Sequence, residues 1–220
     1  MLTLTLEKEE WNKFHEGKLY DSYERLGARL SEEGGVKGVR FSVWAPRARY
    51  VGLVSDYNGW QEGAGLPLER ITPGGVWSLF VPELPEGTVY KYEIISHTGE
   101  RLLKADPYAL HAELKPKTAS VVHSIDGYRW GDKQWLKRRK PPYGQPINIY
   151  EVHLGSWRRH PDGSYYSYRE LADELVPYVQ HMGYTHIELM PVTEHPYDRS
   201  WDTRRPVILP LQAGSANRMT

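Results

Sequence analysis

The sequence contains no cysteine among its 220 residues. That absence excludes a disulfide framework, a thiolate zinc site and a thiol nucleophile. It also suits a cytoplasmic location. Net charge is missing as well, because 28 Lys and Arg stand against 28 Asp and Glu. Binders of nucleic acid or anionic membrane need surplus basic residues to displace counterions, so neither partner is expected. No apolar run approaches the roughly 20 residues that span a bilayer. The N-terminus shows no basic stretch leading into a long apolar run, so no signal peptide is expected. Phenylalanine is scarce: there are 3 Phe against 8 Trp and 16 Tyr. Trp and Tyr pair a flat apolar face with a polar tip, which suits stacking on sugar rings as well as ordinary burial.

What is present reads as two structural regions behind a short lead-in. Residues 1–34 are expected to form a helical lead-in, with Leu6, Trp11 and Phe14 on one helix face and Gly17 as its stop. Residues 35–125 read as a β-sandwich of immunoglobulin-like type. Val39, Phe41 and Val43 alternate with Arg40, Ser42 and Trp44, the period of a half-buried strand. Further strands are expected at Ala48–Ser55, at residues 76–81 and at residues 88–96, with a hairpin tip at His97-Thr-Gly-Glu100. Residues 126–146 are rich in Lys, Arg, Pro and Gly and read as a linker.

The pattern then changes to β-α-β. Residues 147–154 read as a strand. Ser167-Tyr-Arg-Glu170 is a capping box, and Leu171, Leu175, Val179 and Met182 form an apolar helical stripe ended by Gly183. Residues 184–190 read as a second, parallel strand.

The candidate binding motif is Ser55-Asp-Tyr-Asn-Gly-Trp60. A tight turn of Asp, Asn and Gly would expose Trp60 beside a polar amide, as a sugar-stacking platform requires; alternatively, Trp60 plugs the edge of the sandwich. Together with Gly38-Val-Arg-Phe-Ser-Val-Trp-Ala-Pro46, Leu84-Pro-Glu-Gly87, Tyr90-Lys-Tyr-Glu93 and Lys104-Ala-Asp-Pro-Tyr-Ala109, this motif resembles the family 48 carbohydrate-binding module. Ile149-Tyr-Glu-Val-His-Leu-Gly-Ser-Trp157, Ser167-Tyr-Arg-Glu-Leu-Ala172 and Met182-Gly-Tyr-Thr-His-Ile-Glu-Leu-Met-Pro191 are similar to the start of the catalytic barrel of bacterial glycogen branching enzymes.

The resemblance implies a fold that is multidomain, β followed by α/β: the sandwich, then residues 147–201 as the first β-α-β unit of an incomplete (β/α)8 barrel of glycoside hydrolase family 13. It implies an α-1,4-glucan or glycogen partner, bound by Trp60, Asn58 and Lys91, with His195 and Trp201 lining the substrate cleft. It implies cleavage of an α-1,4 link and transfer of the chain to a 6-hydroxyl, without a cofactor. The three catalytic carboxylates of the family fall on barrel strands four, five and seven, and none is found here. These 220 residues are therefore expected to be inactive alone. A stand-alone glucan-binding module and a debranching member of the same hydrolase family are the competing readings.

Neither local substitute for the missing carboxylates is convincing. Glu194 and Asp198 are not shown by their loop spacing to reach the roughly 5–5.5 Å of a retaining pair. A metal set of His186, Glu194, His195 and Asp198 matches no standard ligand spacing, so no metal site is expected.

The resemblance stops after Trp201. Synonymous codons for residues 202–211, read one base out of register behind a single G, encode Gly-Tyr-Pro-Pro-Ala-Gly-Tyr-Phe-Ala-Pro, which is how the family continues. Residues 202–220 are accordingly read as an out-of-frame tail. Sequencing the coding DNA tests this. An intact branching-enzyme frame one base away is the expected result, and its absence refutes the reading.

Overall fold

Alternating apolar residues build the first 125 residues into two antiparallel sheets that share one core. The computed structural model describes residues 2–61, 63–114, 116–139, 142–190 and 192, without the side chains of residues 2–8 and 142. One compact unit ends at Ile125, and the described residues from Asp126 onward form another.

The first unit opens with helix α1 (Leu2–His15), followed by Gly17 at φ 71°, the left-handed conformation that ends a helix. Trp11 and Phe14 meet edge-to-face at 5.9 Å, as expected of one helix face, while Leu6 lies outside the described side chains. The first sheet runs β1-β2-β6-β5, from β1 (Gly27–Glu33), β2 (Val36–Trp44), β5 (Glu69–Arg70) and β6 (Val76–Pro82). The second contains β3 (Ala48–Ser55), β4 (Leu66–Pro67), β7 (Val89–Ser96), β9 (His111–Ala112) and β10 (Ser120–Val121), in the order β4-β3-β7-β10-β9. Strand β8 (Arg101–Lys104) also pairs with β7.

Strand β1 corrects the lead-in expected over residues 1–34. It pairs with β2 from Gly27↔Ser42 to Glu33↔Val36. Its polar run Arg29 to Glu33 hid the strand, yet charged residues are what an edge strand uses to discourage further pairing. Glu33 accepts from Arg40 Nε across this pair at 2.6 Å.

The expected alternation in β2 holds on the core side. Val39, Phe41 and Val43 are buried against Val51 and Leu53 of β3 and Tyr90 and Tyr92 of β7. Phe41 and Tyr90 meet edge-to-face at 4.9 Å. Inside this core the hydroxyls of Tyr90 and Tyr92 donate to Asp106 Oδ2 at 2.6 and 3.2 Å. The Tyr108 amide donates to Oδ1 at 2.8 Å, and Ser120 accepts from the Asp106 amide at 2.9 Å. Burial raises the Asp106 pKa even though its hydrogen bonds pull it down. Burial, then the Asp106 charge, pushes Tyr90 and Tyr92 well above their ordinary value.

The second unit holds α2 (Lys133–Arg138), β11 (Ile149–Val152), α3 (Leu154–Trp157), α4 (Tyr168–His181) and β12 (His186–Leu189). Strands β11 and β12 are parallel, in register from Ile149↔His186 to Val152↔Leu189. Both halves of the predicted capping box form at Ser167 and Glu170. Leu171, Leu175 and Val179 are buried, whereas Met182 falls at the helix end and is 52% exposed, which removes it from the expected stripe. Val152, Leu175 and Val179 form the core, packed by Tyr150, Trp157, Tyr178 and Ile187. Strand β11 is shorter than expected because Leu154 to Trp157 turns helical, and Trp157 Nε1 donates back to Tyr150 Oη at 3.1 Å. Among the described residues no helix is long and apolar enough to cross a membrane.

The polar node at Asp106 yields a stability prediction. Asp106→Ala leaves two buried tyrosyl hydroxyls unpartnered and should lower the unfolding free energy by about 2 kcal/mol, read by urea denaturation. The raised Asp106 value makes its contribution complete below the unfolded carboxyl pKa and lost as pH rises through the folded value. The two tyrosines add a further loss of stability above about pH 10. Asp106→Ala should abolish the acid-range slope and, by removing the charge and hydrogen bonds that help raise the tyrosines, shrink the alkaline one.

Candidate functional site

The candidate site lies where β3 runs out into the loop that carries Trp60. Ser55 ends the strand and caps a single turn, Asp56–Asn58, accepting the Tyr57 amide at 3.2 Å. Asn58 completes the capping box: its Oδ1 accepts from the Ser55 amide at 2.9 Å and its Nδ2 donates to the Leu53 carbonyl at 3.0 Å. The structure therefore assigns Asn58 to holding the turn; a hydroxyl-binding neighbour of Trp60 would need that amide free. A short polar side chain three residues past a Ser N-cap was the available signal.

Trp60 follows Gly59, with both residues in the left-handed region at φ 60° and 64°. Glycine adopts that conformation at no steric cost, but a bulky side chain there is held against its preference. The Trp60 amide donates to the Ser55 carbonyl at 3.1 Å, and its indole N–H donates to Asp56 Oδ1 at 2.7 Å. The ring is half-buried rather than fully exposed, and Tyr57 beside it is 63% exposed.

Lys91 comes from β7, paired directly with Val54 of β3, while Ser55 pairs with Tyr90. Strand periodicity puts Tyr90, Tyr92 and Ile94 on the core side and Lys91 and Glu93 on the outer face. The loop bearing Trp60 thus leaves the sheet beside Lys91, whose Nζ donates to Thr118 Oγ1 at 2.8 Å. Sequence reasoning missed Glu93 on this face. It is fully buried, with Oε1 accepting from the Gly63 amide at 2.8 Å and 3.1 Å from Arg101 Nε. A charged residue in step with Lys91 reads as solvated, and only the fold-back of the loop covers it.

A second polar group lies at the base of β10. His123 Nδ1 is 2.9 Å from Glu86 Oε1, and its ring stands 5.3 Å from that of His111. Burial, then the His123 charge, lowers the His111 pKa. In the second unit, Glu151 pairs directly with Glu188, and both are exposed. Among the described residues no group of three His, Cys, Asp or Glu could hold a metal. His186 is described and exposed; Glu194, His195, Asp198, Trp201 and residues 202–220 lie outside the described residues.

Comparison with known proteins bears on this geometry. The family profile of Carbohydrate-binding module 48 (Isoamylase N-terminal domain) matches residues 25–109. The chain is 56% identical over 190 residues to the 1,4-alpha-glucan branching enzyme GlgB of Bacillus caldolyticus, covering 86% of this chain and 28% of that protein. It is 53% identical over 190 residues to the Geobacillus stearothermophilus enzyme of the same name, covering 86% and 30%. The chain thus spans less than a third of the length of these relatives. A putative alpha amylase from Salmonella typhimurium superposes with TM-score 0.57 and 26% identity, over 80% of this chain and 26% of that one. A pullulanase from Paenibacillus barengoltzii shares the fold, with TM-score 0.59 and 24% identity over 77% and 27%.

Asn58 gives a prediction that separates cap from ligand. Asn58→Ala should cost about 1 kcal/mol of stability, measured by thermal unfolding without any sugar present. An unchanged midpoint would contradict the capping role.

Proposed function

We propose that this chain, which carries a carbohydrate-binding module 48 domain and is about half identical along most of its length to 1,4-alpha-glucan branching enzymes, works in glycogen biosynthesis by binding an α-1,4-glucan. The observation that carries the proposal is the 56% identity over 190 residues, a span well beyond the module itself. The partner is glycogen or a related α-1,4-glucan in the cytoplasm, with no cofactor, nucleic acid or membrane involved.

The binding surface is the end of the β3–β7 pair. Trp60 supplies a flat apolar face on which the C–H side of a glucose ring can stack. Its held backbone and its N–H bond to Asp56 pre-organise the ring, so little entropy is lost on binding. Lys91 supplies donors for sugar hydroxyls, exchanging its Thr118 contact for a ligand oxygen. Asn58 serves this surface indirectly, by holding the turn.

The second unit is the start of a (β/α)8 catalytic barrel. The parallel register of β11 and β12 and the intervening capped helix α4 support that reading, because this is the repeat from which such barrels are built. Glu151, His186 and Glu188 would then face the barrel interior, where their exposure on an isolated pair would end. His195 and Trp201 are proposed to line the substrate cleft. Branching proceeds through an Asp nucleophile, a Glu acid/base and a second Asp on later strands. Residues 1–220 taken alone are proposed to bind glucan without turning it over.

Two measurements test this. Trp60→Ala should weaken maltoheptaose binding about tenfold by calorimetry, the worth of one stacked ring. An unchanged affinity would remove Trp60 as the platform. The purified 220-residue chain should leave the iodine stain of amylose unaltered, and any shift in absorbance would overturn the inactivity claim.

A further inference from the structure

Glu93 should be a solvated charge by its place in the strand, and it is instead fully buried beneath the loop that carries Trp60. Its two oxygens have different fates. Oε1 accepts the Gly63 amide at 2.8 Å and lies 3.1 Å from Arg101 Nε. Oε2 is buried with no hydrogen-bond partner among the described residues. A buried carboxylate is tolerated only where a cation and hydrogen bonds offset its desolvation, so the contacts of Oε1 carry this burden.

The loop is shaped around that carboxylate. A Cβ added to Gly65 would stand 3.1 Å from Glu93 Oε2 and 3.3 Å from the Leu53 carbonyl, so backbone closes directly over the acid. Tyr50 donates its hydroxyl to the Gly65 carbonyl at 2.8 Å. Gly52, the cross-strand partner of Glu93, leaves the space that the Tyr50 ring fills, since a Cβ there would meet its hydroxyl at 2.6 Å. The return of the loop over residues 63–65 is thus clamped by Glu93 and Tyr50. Its outgoing half is clamped by the Ser55 and Asn58 capping box. Trp60 sits between the two clamps at φ 60°, a backbone conformation that persists only where its surroundings over-determine it.

We infer that Glu93, paired with Arg101, is a positioning residue that latches the loop at Gly63 and so holds Trp60 in its glucan-stacking position. The inference rests on the reading of Trp60 as the platform. Glu93 touches no ligand; it acts on affinity through the loop. Arg101, half-exposed at the mouth of the latch, sets its Nε 3.1 Å from the carboxylate and closes the latch from the solvent side.

Hydrogen exchange by mass spectrometry and maltoheptaose calorimetry on the 220-residue chain test the latch. In Glu93→Ala, exchange at residues 59–65 should rise about tenfold and affinity fall about tenfold, the effect of one lost charge-assisted hydrogen bond. Exchange in β2 and β6 should stay at the parent rate, which a general loss of structure would not allow. Glu93→Gln keeps an acceptor for the Gly63 amide and should restore both readouts to within about threefold. Should Glu93→Ala not fold, Arg101→Ala carries the same test from a half-exposed position and should speed exchange at residues 59–65. Unchanged exchange there in whichever of these variants folds overturns the latch. Faster exchange with unchanged affinity overturns the link to binding. If Trp60→Ala also leaves affinity unchanged, the platform reading has failed; if Trp60→Ala weakens binding, the latch alone has failed.

Discussion

Two tyrosyl hydroxyls donate to one buried carboxylate, and the sandwich is arranged about that contact. Asp106 receives Tyr90 and Tyr92 from the same face of β7, while its own backbone is tied to Ser120 of β10. A polar group in a low-dielectric core is costly unless every partner is in place, so this node tolerates one arrangement of β7 and not a neighbouring register. A slip by one residue would carry Tyr90 and Tyr92 to the outer face and bring Lys91 and Glu93 inside. The apolar packing around Phe41 supplies the bulk of the driving force, and the node selects the register.

With β7 so placed, its outer face becomes the functional one. Lys91 and Glu93 point the same way for the reason that Tyr90 and Tyr92 do. Pairing of Val54 with Lys91 and of Gly52 with Glu93 brings β3 alongside, and the loop that follows β3 folds back over Glu93 before it pairs as β4 on the other edge of β3. Glycine at 65 allows the close approach of that loop, because a Cβ there would stand a tight 3.1 Å from Glu93 Oε2, and glycine at 52 leaves room for the Tyr50 ring that binds the loop. The result is a rigid support under a half-buried tryptophan, consistent with the proposed role in glucan binding.

The second unit follows a different logic. Its helix is specified locally by the reciprocal Ser167 and Glu170 bonds, and the stripe Leu171, Leu175 and Val179 then has one sheet face to cover. The opposite face carries Ile149, Glu151, His186 and Glu188, all exposed. Two glutamates side by side repel in water at neutral pH, so this face adds nothing to the stability of the pair. Such a face makes sense as the lining of a larger closed sheet, which the proposed barrel would provide.

Features that depend on near neighbours in the chain were legible in the sequence. The alternation of Val39, Phe41 and Val43, the capping box at Ser167 and the parallel strands around α4 all follow from short-range periodicity and side-chain reach, and the family resemblance rests on the same continuous text. Three features were decided by tertiary structure. The polar run of β1 became a strand because β2 offered an edge to pair with. Asn58 turned inward because the Leu53 carbonyl and Ser55 amide stood within its reach, although the same Asp-Tyr-Asn-Gly text is compatible with an outward amide. Glu93 was buried because a loop thirty residues earlier in the chain folded over it, placing the Gly63 amide against its carboxylate. The strand period sets which face a side chain occupies. What covers that face is settled by chain that arrives from elsewhere, and the burial of a charge depends on that cover.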